Sequence, residues 1–342
     1  MNFLAATVTN SPLRGFGTAL LAGAIALVIT WALTPWVMKL AIAKGAVDDP
    51  TRDDRRVHTK ITPRWGGFAI FAGALISVLI CLPLRWPVQP FAPWVIGLLG
   101  LGAVITLAGA ADDLHQFSAK IQMGILLAAG VAVQFFGSGT NKVQVQGISW
   151  PMFSDGAHWI AFAPYVAIPL TAVYIFVVTK TMDTIDGIDG LAAGIAAISA
   201  ATLAIVGVGV QPRVALIAAA VAGSAIGFLR HNYNPAKIFM GTGGAQFLGF
   251  TLACLSIVGA MKTAATIMLI IPIFVFGVPI FDAFFVVTRR LLSGQPITAP
   301  DKRHLHHTLL RKGLDQRQTV LVLYAVAAVL GGIVVVAARA LG

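Results

Sequence analysis

The sequence predicts an all-α fold, a polytopic membrane bundle of about ten transmembrane helices, both termini outside, with an active site built from cytoplasmic loops. Three observations predict it. Of 342 residues, 58% are hydrophobic and only 11% charged, against about 25% charged in a soluble domain. Apolar runs long enough to span a bilayer recur along the whole chain. The cations between them gather in alternate loops. No polar linker divides the chain, so residues 1–342 are read as one membrane-embedded domain.

A spanning helix needs about 20 apolar residues. The runs that meet this fall at 17–40, 66–84, 92–111, 121–137, 163–180, 190–208, 213–229, 245–261, 264–288 and 319–338. The fourth is the shortest. The first is too long for a signal-peptide core, and no small-residue cleavage site closes it, so it is expected to remain as a helix. Cys81 and Cys254 both sit inside apolar runs and read as small packing residues rather than a disulfide or metal pair. There is no internal repeat and no low-complexity stretch.

Cations orient the bundle, because Lys and Arg concentrate on the cytoplasmic side. With both termini outside, seventeen fall within inner loops, among them Arg64, Lys120, Lys180, Arg230, Lys237, Arg289 and Arg311. Six fall outside: Arg14, Arg85, Lys142, Arg213, Lys262 and Arg339. A net charge of +11 is then explained by loops facing anionic lipid, with no need of nucleic acid.

The acidic residues and histidines carry more information. The chain has no Glu, and of its 13 Asp only Asp155 lies on the outer side. Of 7 His, only His158 does. The charge rule for membrane topology scarcely concerns Asp and His. Their one-sidedness predicts a site of Asp, His and Lys/Arg on the inner face.

Five segments supply that site. Asp112-Asp113 ends the third span. Carboxylates are disfavoured at a helix C-terminus and at a membrane boundary, so the pair needs a counter-charge, for which Mg²⁺ is suited; a solvated helix end is the plainer reading. In Lys180-Thr-Met-Asp183-Thr-Ile-Asp186-Gly-Ile-Asp189-Gly190, three Asp recur every third residue. At helical pitch they share a face, and their repulsion calls for cations between them. An EF-hand is excluded, since the bidentate Glu is missing. Asp301-Lys-Arg-His304-Leu-His306-His307 sets imidazoles beside cations. Zinc sites use other spacings, and this mixture suits a diphosphate. Pro63-Arg-Trp-Gly66-Gly67 forms a rigid turn that places cations at the membrane surface. Met240-Gly241-Thr242-Gly243-Gly244 puts glycines before a span, where backbone N–H groups can meet an anion.

In this order the five segments resemble the polyprenyl-phosphate N-acetylhexosamine-1-phosphate transferase family, glycosyltransferase family 4. The similarity runs from about Lys44 to Tyr324. The Asp-Lys-Arg-His-Leu-His-His segment looks like the branch that uses UDP-GlcNAc and undecaprenyl phosphate. The resemblance implies transfer of GlcNAc-1-phosphate from UDP-GlcNAc to polyprenyl phosphate, giving polyprenyl-diphosphate-GlcNAc and UMP. That would initiate cell-wall or surface-glycan synthesis, such as lipopolysaccharide or teichoic acid. It also implies Mg²⁺ or Mn²⁺ as cofactor, an inner-membrane location and homodimers as one assembly. Alternatives are a UDP-MurNAc-pentapeptide phosphotransferase and a catalytically weakened homologue.

By the same resemblance, Asp112, Asp113, Asp186 and Asp189 match catalytic positions. Lys60, Lys120, Asp282, His304, His306 and His307 match substrate-binding positions. Asp186 and Asp189 match metal ligands. Two departures stand out. Thr242 occupies the place of an Asp that binds magnesium in the family, and Lys180 and Asp183 stand where the family has two Asn. Asp183 is therefore expected to replace part of the missing carboxylate as a metal ligand.

Overall fold

The computed structural model describes residues 12–48, 61–139, 141–150, 158–260, 275–292 and 305–341. It is a helical bundle with two short hairpins. In chain order the helices are α1 (Pro12–Ala43), α2 (Gly66–Arg85), α3 (Pro93–His115), α4 (Ala119–Ala132), α5 (Pro164–Ile185), α6 (Leu191–Val210), α7 (Pro212–Asn232), α8 (Gly241–Ala260), α9 (Gly277–Leu292), α10 (Leu305–Arg311) and α11 (Gln316–Leu341). Eight helices among the described residues are long and apolar enough to cross a membrane. The chain is a multi-pass membrane protein.

One of the ten expected spans differs, and another lies partly outside the described residues. The fourth is a shorter apolar helix, α4 running into a 3₁₀ turn at Val133–Phe135. Its start is sharp because Ser118 caps it, the hydroxyl accepting from the Ile121 N–H at 3.4 Å. The ninth expected span, 264–288, lies partly outside the described residues, and its described part belongs to α9. Pro begins α3, α5 and α7, where its missing N–H is no loss and its fixed φ suits a first turn.

Helix α8 is the axis of the bundle, with 94% of its spanning stretch buried. It packs against α3 and α5, and also α2 and α6. Helices α1 and α11 lie at the periphery, with 22% and 28% buried. A helix apolar all round belongs at a core or in lipid; which of the two is decided by its neighbours. Small residues permit the closest crossings, as in other membrane bundles. A Cβ at Gly223 of α7 would overlap the carbonyl of Gly23 on α1. Cys81 and Cys254 are both buried and unbridged.

At one end of the bundle, β1 (Val47–Asp48) pairs antiparallel with β2 (Thr62–Pro63). At the other, β3 (Gly147–Trp150) pairs with β4 (His158–Ala161). The first hairpin leads into α2 and is clamped to the segment before α8. Phe239 N–H donates to Pro63 O at 2.8 Å, Gly66 N–H to Phe239 O at 3.0 Å, and Gly67 N–H to Met240 O at 2.8 Å. This clamp positions the site.

Candidate active site

The glycine-rich starts of α2 and α8 meet the end of α3. A Cβ on Gly67 would overlap the backbone of Gly244, and one on Gly109 that of Gly243. Three backbones come together here because none carries a side chain at the crossing. Gly243 and Gly244, in the segment whose backbone N–H groups are expected to meet an anion, stand at these crossings.

The packing brings Asp113 to the N-terminus of α8. Its Oδ1 accepts the Thr242 N–H at 3.1 Å and lies 3.4 Å from Arg64 Nε. Its side chain is 1% exposed. Its Oδ2 is buried and has no hydrogen-bond partner among the described residues. Gly241, at φ 75°, stands directly against that oxygen, and a Cβ there would collide with it. A carboxylate oxygen left bare in a buried site costs free energy unless a cation or donor arrives.

Asp112 turns elsewhere. Adjacent helical residues diverge by about 100°. Its Oδ1 accepts the Phe117 N–H at 2.7 Å and Gln122 Nε2 at 3.1 Å. Gln122 Oε1 in turn accepts from Lys180 Nζ at 2.8 Å, and Lys180 pairs with Asp183 Oδ2 at 2.5 Å. The chain Asp112–Gln122–Lys180–Asp183 ties together α3, α4 and α5. Asp183, expected to replace part of a metal-binding carboxylate, has Lys180 as its cation, which neutralises much of its charge.

Asp186 follows the last residue of α5. Burial first, then the Asp183 charge, pushes its carboxyl up to about 7. Arg64 opposes the rise, and Asp113 and Asp189 add to it. Those interactions set Asp113, Arg64, Asp183, Asp186 and Asp189 in one electrostatic field. Asp189 also organises backbone. Its Oδ2 accepts Asn234 Nδ2 and the Ala236 N–H, each at 2.9 Å, pinning the segment that leads into α8. Gly190, at φ 80°, opens α6, and Tyr324 donates to its carbonyl at 2.5 Å.

The imidazoles reach the same place from α10. A Cβ on Gly187 would lie 2.9 Å from His306 Nε2, so His306 packs on the Asp-Gly-Ile-Asp-Gly turn. It is 2% exposed, and its ring centre lies 4.3 Å from that of His307. Asp282 Oδ1 accepts the Leu305 N–H at 2.5 Å. Asp282 thereby holds the first turn of the histidine helix, a role that its distance in sequence did not suggest. Lys120 is exposed in the first turn of α4, two residues before Gln122. Lys60 and His304 lie outside the described residues.

Arg64, Gln122, Asn234 and Tyr324 were not among the predicted site residues. Gln122 had a signal: a polar amide in an apolar run of membrane length usually has a partner. Arg64 stood in the Pro-Arg-Trp-Gly-Gly turn, but nothing in the sequence said which carboxylate it would face.

The donors present suit a hard divalent cation. Asp113 Oδ2 and the Asp186 carboxyl are oxygen ligands short of positive charge, the type that Mg²⁺ takes. Among the described residues no group of three His, Cys, Asp or Glu forms a ready-made ligand set.

Comparison with known proteins shows the family. Residues 95–260 match the model of glycosyl transferase family 4. The chain is 36% identical over 306 residues to the probable undecaprenyl-phosphate N-acetylglucosaminyl 1-phosphate transferase of Bacillus subtilis, covering 88% of this chain and 80% of that protein. It is 31% identical over 347 residues to the decaprenyl-phosphate N-acetylglucosaminephosphotransferase of Mycolicibacterium smegmatis, covering 94% and 82%. It is 26% identical over 307 residues to the undecaprenyl-phosphate alpha-N-acetylglucosaminyl 1-phosphate transferase of Escherichia coli, covering 87% and 78%. With that extent of similarity, and its acidic and histidine motifs drawn to one end of a membrane bundle, the chain belongs to glycosyl transferase family 4.

Proposed function

We propose that this protein transfers GlcNAc-1-phosphate from UDP-GlcNAc to a polyprenyl phosphate, releasing UMP. The observation that carries the reading is the convergence of Asp113, Arg64, Asp186 and His306 at one end of the bundle. It is supported by relatives named for this transfer to undecaprenyl and decaprenyl phosphate. One substrate is soluble and the other a lipid, so the reaction needs a site at a membrane surface. The cation asymmetry of the loops argues for the cytoplasmic face of the inner membrane.

The chemistry exchanges one phosphoanhydride for another. An oxygen of the lipid phosphate attacks the β-phosphorus of UDP-GlcNAc. The new P–O bond forms as the bond to UMP breaks, and UMP leaves with the electron pair. A phosphomonoester has its second pKa near 6, so the nucleophile is largely dianionic at neutral pH and needs little help from a base. The barrier is the approach of two anions, which positioning and positive charge lower. Asp186 and Asp113, with Asp189 and Asp183 beside them, would hold Mg²⁺. Bound there, the ion would neutralise diphosphate charge. Lys120, His306 and His307, with Lys60 and His304, would donate to phosphoryl oxygens. Asp112 would keep the α3–α4 turn in place, and Asp189 the segment before α8.

The test uses purified full-length protein with labelled UDP-GlcNAc, polyprenyl phosphate and Mg²⁺. A lipid-linked labelled product, with one UMP per product, is expected. UDP-GalNAc and UDP-MurNAc-pentapeptide in parallel define the sugar. No lipid-linked product from any donor would overturn the reading.

A further inference from the structure

The described cations near the site are held in different ways. Lys180 is held between Gln122 Oε1 and Asp183 Oδ2. Lys120 is exposed on the surface of α4. Arg64 differs from both. Its backbone is fixed: its N–H donates to Ala46 O at 2.9 Å, the preceding Pro63 carbonyl accepts from Phe239 N–H, and Trp65 Nε1 donates to Ala110 O at 3.1 Å. Trp65 is held at φ 46°, a left-handed conformation that a non-glycine residue adopts only where its surroundings impose it. The segment that carries Arg64 is thus anchored to the residue before β1, to α3 through the Trp65 indole, and to the segment before α8.

The guanidinium, by contrast, is loosely held. It lies 3.4 Å from Asp113 and 3.8 Å from Asp48, beyond the roughly 2.7–3.2 Å of a good N–H···O bond. The side chain is 30% exposed. Arginine carries five N–H donors in a planar fork, and two long ion pairs leave most of them available. The same charge acts on Asp186 as well as on Asp113. Arg64 is therefore a cation on a rigid stem, with spare donors, beside Asp113 and within electrostatic reach of Asp186.

The geometry points to Arg64 as a substrate-binding residue whose guanidinium takes phosphoryl oxygens of the reacting substrates. The inference rests on the transferase reading above and adds to it a residue of the Pro-Arg-Trp-Gly-Gly turn. Two sources could supply the phosphoryl group, the diphosphate of the sugar nucleotide or the phosphate of the lipid. In either case Arg64 leaves its long pairs with Asp113 and Asp48 for a shorter, charge-assisted contact.

The test compares wild type, Arg64→Gln and Arg64→Lys as full-length protein with Mg²⁺. One arm titrates UDP and uridine; the other measures KM for polyprenyl phosphate and for UDP-GlcNAc, together with kcat. For a nucleotide contact, Arg64→Gln loses about tenfold or more in UDP affinity while uridine binding is unchanged. For a lipid contact, KM for polyprenyl phosphate rises by a similar factor. Arg64→Lys falls between, since a point charge replaces the fork. Equal losses for UDP and uridine, or no change in either arm, would overturn the assignment and leave Arg64 as a partner of Asp113 only. A wild type that forms lipid-linked product but binds UDP no better than uridine, with polyprenyl-phosphate KM unmoved in Arg64→Gln, would overturn the assignment and spare the transferase reading. A wild type that forms no product would overturn that reading and the assignment with it.

Discussion

Two regions of the bundle, the α4–α5 contact at one end and the site at the other, hold their buried polar groups in opposite ways. At the far end, α4 and α5 bury uncharged polar groups that satisfy one another. Gln134 Nε2 donates to Gly130 O at 2.8 Å and Ile168 O at 3.0 Å, and Gln144 Nε2 donates to Gln134 Oε1 at 3.1 Å. Thr171 Oγ1 donates to Ala167 O and accepts the Val145 N–H. At the site end, the same helices lie beside carboxylates that are crowded, with one oxygen of Asp113 left bare. A satisfied neutral network adds stability and orders the fold. An under-satisfied charged cluster costs stability and is retained where a ligand completes it.

The comparison can be broken most decisively at Asp186. Asp186→Asn is expected to lower kcat by about 10²–10³-fold, measured as lipid-linked product, while the protein still folds. The same variant has a stability signature. The unfolded chain ionises this carboxyl near 4, whereas the folded state keeps the proton until about 7. Between these values the folded state binds more protons, so wild-type stability falls as pH rises through that window. In EDTA the variant should therefore melt above wild type at pH 8, and the difference should fade towards pH 4. A variant that melts below wild type at pH 8 would show that Asp186 is structural.

Gly187→Ala should come next. The added methyl meets His306 and moves its ring, and a displacement of about 1 Å can cost up to 10²-fold in rate. A fall in kcat/KM with little change in melting temperature is expected. Gly67→Ala acts on packing, forcing α2 from α8, and should cost about 1–3 kcal/mol of stability, read by thermal unfolding in detergent. The smallest effect belongs to the far end. Gln134→Ala strands Gln144 and should cost roughly 1 kcal/mol, with activity per folded molecule unchanged. Loss of activity there would show that the two ends are coupled rather than separate.

Much of the fold was legible because lipid imposes simple demands. Spans need about 20 apolar residues, and eight described helices meet that demand. The one-sided Asp and His residues further pointed to the end that carries the site. Span boundaries were less legible where length fell short, as at α4, whose 3₁₀ extension packs against α3. Within the site, residue types were readable and directions were not. Asp112 and Asp113 are neighbours in the chain, yet one faces Gln122 and the other Thr242. Asp282 is 23 residues from the Leu305 N–H it accepts.

By itself the sequence determined the membrane class, the approximate number of helices and the chemistry of the residues gathered near one face. Those follow from composition and period, which act locally along the chain. Only the tertiary structure decided that Arg64 faces Asp113, that Lys180 is committed to Asp183, that the site glycines serve helix crossings, and that His306 rests on Gly187. Such pairings depend on rotation about helix axes and on which backbones come close, and those are settled by packing among segments far apart in the chain.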